Sequence, residues 1–217
     1  MARLLDLLMF SGTVGDVVGC KGPHGFYIRS RPRRSDKAPS PKQQEARGKL
    51  SLAMGFLKPL KEMIYMGFAG AHGTRSKTTA MNAAASHLLN YAMEGEFPDI
   101  TVNPAAVRLS RGTLMQLPDA VLEQTGSEIT VTWLPFVSPF SGHADDCVMV
   151  ACYNLQERSV TVGKAVRSDG LATLDLSELP VDSTSLIYVC VADRDLKRFS
   201  NSQFLGRVDM GFSLHRS

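Results

Sequence analysis

From about residue 104 the chain alternates short apolar, β-branched runs with turn formers, and few folds accommodate that rhythm. "ITVTW" (129–133), "DCVMVACYN" (146–154), "RSVTVGK" (158–164), "LATLDLS" (171–177), "SLIYVCVAD" (185–193) and "SQFLGRV" (202–208) follow one another at the spacing of strands in a β-sandwich. "VRLSRG" (107–112) supplies a first strand, which makes seven. Trp133 ends the second strand, and Tyr188 sits in the sixth with Cys190 and Ala192 on its face. Aromatic residues facing inward from two sheets, with "LP" at 179–180 leading into the sixth strand, predict a fibronectin type III-like (immunoglobulin-like) sandwich over 104–217.

Residues 1–103 have a different texture. "SGTVGDVVGC" (11–20) places Gly12, Gly15 and Gly19 in a valine-rich run, and "GPHG" (22–25) follows as a strong turn signal before "FYIRS". A β-hairpin or small meander is expected, with Gly15 and Gly19 as bulge or close-approach positions. Ser40, Pro41 and Gln43 form a helix start with a capping box. Behind it Leu50, Ala53, Leu57, Leu60 and Ile64 recur at helical spacing, and Pro59 predicts a break near Leu57–Lys58. After the glycine-rich 67–73, a second helix is expected at 78–93, with Ala80, Ala84, Leu88 and Ala92 on one face and Gly95 and Pro98 ending it. Hairpin and helices are expected to form one unit over 1–103. The fold class is then α+β in two parts.

The charge is unevenly placed. The chain carries +3 overall, but residues 1–50 hold ten Lys/Arg against four Asp/Glu, which leaves the remainder at −3. The excess is concentrated in "RSRPRRSDKAPSPK" (29–42), with Arg29, Arg31, Arg33, Arg34, Lys37 and Lys42 just after Phe26 and Tyr27. Such a segment serves as a solvated link, as a contact to nucleic acid or another polyanion, or as a contact to an acidic patch on a neighbouring subunit. No apolar run approaches the roughly 20 residues of a membrane-spanning helix. "VVGC" (17–20) has the form of a lipobox, but Asp6, Gly12 and Asp16 interrupt the apolar core that would precede it. The expectation is therefore no cleaved signal and a cytoplasmic or particle-assembled protein.

Known chemistries find little support. The glycines do not fit G-x-G-x-x-G, no G-K-[ST] follows, and a turn and strand stand where a phosphate loop needs a helix. Cys20, Cys147, Cys152 and Cys190 show neither CxxC nor close Cys/His spacing, and the last three lie in apolar strands as small buried hydrophobes. His24, His72, His87, His143 and His215 are scattered. "GHADDC" (142–147) is the nearest polar cluster, but its two aspartates are too few for a calcium loop, and it reads as an acidic turn between the second and third strands. No G-x-S-x-G is present, and Ser200 and Ser202 read as strand-edge hydroxyls. No catalytic residue, metal site or cofactor is expected.

The runs "GTVGDVVG", "KG" at 21–22 with "YIRSRP", "PSPKQQEARGKLSLAMGFLKPLK", "TTAMNAAASHLL", "ITVTW", "DDCVMVACYN" and "FSNSQFLG" together resemble a family of proteins of about this length from gut Bacteroides and related bacteria, classed as a domain of unknown function. An aromatic residue usual beside the lysine–glycine pair is missing here, and Cys20 is not characteristic of that family. The front half is more loosely similar to short phage and prophage proteins, which implies a part in a virion or another assembly. The resemblance brings no activity, cofactor or catalytic residue. The expected function is a non-enzymatic structural or interaction protein that assembles through strands around Gly12, Gly15 and Gly19. The alternative is a binding module, for a polyanion through residues 29–42 or for glycan through the sandwich loops.

Overall fold

A computed structural model describes residues 3–6, 9–22, 25–33, 37–68 and 77–211. The chain divides into two compact units, Met1–Ser40 and Pro41–Ser217. The first is a four-stranded antiparallel meander, β1 (Arg3–Asp6), β2 (Met9–Val14), β3 (Val17–Gly22) and β4 (Gly25–Ser30), paired in chain order.

The second unit opens with α1 (Pro41–Leu57), α2 (Lys61–Gly67) and α3 (Lys77–Tyr91), followed by the two-residue strands β5 (Met93–Glu94) and β6 (Thr101–Val102). Pro41 is the first residue of α1, and the helix stops at Leu57, two residues before Pro59, as a missing N–H and a ring clash require. Ala53, Leu57, Leu60 and Ile64 are buried, whereas Leu50, expected on the same face, is exposed. The small stripe Ala80, Ala84 and Leu88 of α3, with Ala92 just past its end, is buried as expected.

Seven strands then form two antiparallel sheets. One has the order β11-β8-β7, from β7 (Val121–Thr125), β8 (Glu128–Thr132) and β11 (Leu171–Asp175). The other has the order β10-β9-β12-β13, from β9 (Cys147–Asn154), β10 (Ser159–Val166), β12 (Ser183–Ala192) and β13 (Gln203–Met210). The strand expected at 107–112 does not form. Val107 and Leu109 do alternate inward, but Leu109 N–H and Ser110 Oγ donate to Ser202 Oγ and Ser200 O in a loop rather than into a sheet. Val121–Thr125 takes its place as the first strand.

The core has two compartments. Ile129, Val131, Trp133, Val148, Val150, Leu174, Ile187, Val189 and Val191 fill the space between the sheets. Met149, Ala151, Tyr153, Leu186, Tyr188, Cys190 and Ala192 leave the opposite face of the four-stranded sheet and join Ala53, Leu57, Ile64, Ala84 and Leu88 of the helices. Each such large apolar side chain contributes about 1.5–3 kcal/mol on burial. Tyr188 therefore faces the helices and not the inter-sheet core; its ring lies 5.2 Å from that of Phe204, and its hydroxyl donates to Pro104 O at 2.9 Å. The division expected at 103/104 differs from the observed one for the same reason: the helices bury their apolar face on the sandwich. Among the described residues, no helix is long and apolar enough to cross a membrane.

Candidate functional site

The glycine–valine run folds back on itself. Gly15 and Asp16 form a two-residue hairpin turn, with Val14 opposite Val17 and Gly15 at φ +56°, a conformation that favours glycine. Gly15 is thus a turn residue and not a bulge. Gly12 lies opposite Gly19 on the neighbouring strand. A Cβ on Gly19 would run into the Phe10 carbonyl and lie 2.9 Å from the Phe10 ring, so the close approach expected at this glycine is present.

Alternation and register assign each side chain of this sheet to a face. Gly12, Val14, Val17, Gly19, Phe26 and Ile28 share one face with Phe10 and Lys21, whose ammonium lies 5.6 Å from the Phe26 ring centre. Thr13, Val18, Cys20, Tyr27 and Arg29 occupy the other. Val14, Val17 and Ile28 are 51%, 39% and 58% exposed, while Phe10 and Phe26 on the same face are partly covered. On the opposite face Tyr27 is exposed as well.

The basic segment continues from the edge strand β4. Arg31 N–H donates to Asp16 O at 2.7 Å, which carries the chain one residue past the strand. Arg29, Arg31 and Arg33 are exposed, and none has a carboxylate at ion-pair distance among the described residues. Lys37 is exposed, and so is Lys42 in the first turn of α1. Arg34, His24, His72 and His215 lie outside the described residues.

The "GHADDC" loop joins β8 to β9 as expected, and one of its two aspartates, Asp146, serves the fold. Asp146 is buried; its Oδ2 accepts from His143 N–H at 2.9 Å and lies 3.3 Å from Nε of the equally buried Arg167. Arg167 Nη2 donates to Met115 O at 2.7 Å, and Trp133 Nε1 donates to Arg167 O at 2.9 Å. No periodicity marks a buried arginine, so sequence reasoning missed this joint. Asp145 forms only a loose, exposed pair with Arg194 at 3.7 Å. Among the described residues, no group of three His, Cys, Asp or Glu side chains could hold a metal ion.

The Cys152 and Cys190 thiols are buried, and that of Cys147 is partly so. Burial pushes the Cys190 thiol up to about 12 and raises those of Cys147 and Cys152. Ser200 is a buried hydroxyl and not a strand-edge one: its Oγ accepts from Val191 N–H at 2.9 Å.

No curated protein matches the chain. Among solved structures it is similar to the FN5 domain of Drosophila Lar, at 13% identity and a TM-score of 0.33, over 45% of this chain and 96% of that one. It is also similar to the fn3 domain of human contactin 1, at 13% identity and a TM-score of 0.35, over 57% of this chain and 97% of that one. The fn3 domain of human collagen alpha-1(XX) chain is similar at 19% identity and a TM-score of 0.31, over 50% of this chain and 94% of that one. The family described as "Family of unknown function (DUF6266)" matches residues 9–206, from the N-terminal sheet to the middle of β13, and the chain belongs to that family.

Proposed function

We propose that this is a non-enzymatic assembly protein that docks through the apolar face of its N-terminal sheet onto a second copy of itself. The observation that carries the reading is that face: Phe10, Val14, Val17, Phe26 and Ile28 aligned across three strands, with Val14, Val17 and Ile28 left to solvent. Cationic residues 29–33 run on from the edge strand of this sheet, and the second unit, residues 41–217, carries a net −1, so another copy meets this end without strong like-charge repulsion. A face that meets a different surface on the next copy makes a head-to-tail contact, which builds rings or filaments rather than a closed pair.

Light scattering on the full chain tests this. Concentration-dependent species above 23.6 kDa are expected, and V14K/I28K abolishes them while the second unit stays folded. A strict monomer at high concentration overturns the reading. The exposed Arg29, Arg31 and Arg33 favour one other reading, a polyanion bound along the basic segment. Salt-dependent retention of a monomeric protein on heparin, lost in R29Q/R31Q/R33Q, would support that reading instead.

A further inference from the structure

The stretch between the helices and the sandwich, residues 107–117, carries two arginines in an arrangement that the fold itself does not require. Val107, Leu109 and Leu114 point inward, and Arg108 and Arg111 are exposed between them. The backbone here is pinned on two sides. Leu109 N–H donates to Ser202 Oγ at 2.8 Å, Arg111 N–H to Gly67 O at 3.0 Å and Leu114 N–H to Phe199 O at 3.1 Å. Gly112 permits the close approach, since a Cβ there would collide with the Phe199 carbonyl.

Both arginines line a groove of about 840 Å³, together with His87, Tyr91, Gln116 and Asn201. A smaller groove of about 410 Å³ shares Arg108 and Arg111 and continues to Lys197 and Arg198. Among the described residues, no carboxylate lines either groove. Lys197 and Arg198 are answered by Asp195 at 3.4 Å and Asp193 at 3.3 Å. Arg108 and Arg111 have no carboxylate at ion-pair distance among the described residues. The two arginines stand three residues apart on a pinned backbone, and an anion bound by both would offset their like charges.

His87 and Tyr91 line the same groove. His87 Nδ1 is inaccessible and has no hydrogen-bond partner. Its imidazole is held below the ordinary histidine range, first by burial and then by the charges of Arg108 and Arg111. Tyr91 packs its ring 4.9 Å from that of His87 yet remains 71% exposed, leaving aromatic surface uncovered at the groove edge.

We propose that this groove binds a phosphate-monoester-type dianion, with its oxygens between Arg108 and Arg111 and the body of the ligand against Tyr91. Two uncompensated guanidinium charges match a dianion rather than a single carboxylate, and the planar fork of each donates to two oxygens at once. The proposal is independent of the assembly reading, which concerns the other unit.

Isothermal titration of the full chain at fixed ionic strength tests it, with phenyl phosphate, inorganic phosphate and phenol as probes. Phenyl phosphate is expected to bind more tightly than inorganic phosphate, and phenol not to bind. R108Q/R111Q changes two exposed side chains, so the fold is retained; it should weaken phenyl phosphate by about tenfold or more, the loss of charge-assisted hydrogen bonds. Y91A should reduce phenyl phosphate to the level of inorganic phosphate. R29Q/R31Q/R33Q should bind like the unaltered chain. Unchanged binding in R108Q/R111Q, loss in R29Q/R31Q/R33Q, phenol binding as tightly as phenyl phosphate, or no heat from either phosphate would each overturn the proposal.

Discussion

The Nε of Arg167 lies 3.3 Å from the carboxylate of Asp146, and neither side chain reaches solvent. Through this pair the loop before β9 is tied to the short turn after β10, and Met115 O and the Trp133 indole are drawn into the same joint. Removing one partner leaves the other charge buried and unanswered. D146N or R167M is therefore expected to lower stability by about 3–5 kcal/mol in urea denaturation. The double replacement R167M/D146L should lose less than the two single losses combined.

Two helical glycines should respond in opposite directions. A Cβ on Gly55, within α1, meets nothing within 4 Å, so G55A should raise stability by about 0.5–1 kcal/mol through helix propensity. A Cβ on Gly67, at the end of α2, would lie 2.5 Å from Ser110 Cβ and 2.6 Å from Leu109 O. G67A should lower stability by about 1–3 kcal/mol, and it should weaken phenyl phosphate binding by moving the Arg108–Arg111 backbone. Thermal denaturation of the two variants side by side checks the contrast.

His87 gives a pH signature. Burial, then Arg108 and Arg111, hold its folded pKa below the ordinary 6.5, so the folded state binds fewer protons than the unfolded one as pH falls. The stability it contributes is present above about 6.5 and is lost progressively as pH drops below that value. H87Q should flatten the stability profile in that window. Saturating phenyl phosphate should move the imidazole titration, followed by NMR, upward, because the bound dianion offsets the two arginine charges.

Asp193 organises the turn between β12 and β13. Its Oδ1 accepts from Lys197 N–H at 2.7 Å and Arg198 N–H at 3.1 Å. Partial burial raises its pKa, but these bonds and the Arg198 guanidinium outweigh that and hold the carboxyl below its ordinary 3.8. Its contribution is present above that value and lost as pH falls below it. D193A should lower stability by about 1–3 kcal/mol at neutral pH and should loosen amide protection at Lys197 and Arg198, measured by hydrogen exchange.

Much of this architecture was legible in the sequence. Pro59 marked the end of α1, the alanine stripe marked the buried face of α3, and alternation located β8 and β11, each with one face on the core. Residues 107–112 alternate without being a strand, because alternation reports inward and outward side chains, and Val107 and Leu109 alternate while bonding to a loop. Val121–Thr125 was overlooked for the converse reason: only Leu122 is partly covered, so an edge strand carrying Glu123 and Gln124 shows little apolar signal. The unbroken runs of β9 and β12 held information that went unused. A strand with one solvent face alternates, whereas "CVMVACYN" and "SLIYVCVA" do not, and that absence of alternation is the trace of a second covered face. The Arg167–Asp146 joint and the Arg108–Arg111 groove depend on which distant loops meet, and local pattern is silent about that.

The covering of β9 and β12 on both faces also limits how this protein can change. From Val148 to Tyr153 and from Leu186 to Ala192 every side chain is enclosed, so a substitution to a charged residue has no outward position to occupy. Variation compatible with the fold is thereby diverted to β7, β10 and the connecting loops. Charge can be added at those margins, whereas the two central strands accept only apolar exchanges of similar size.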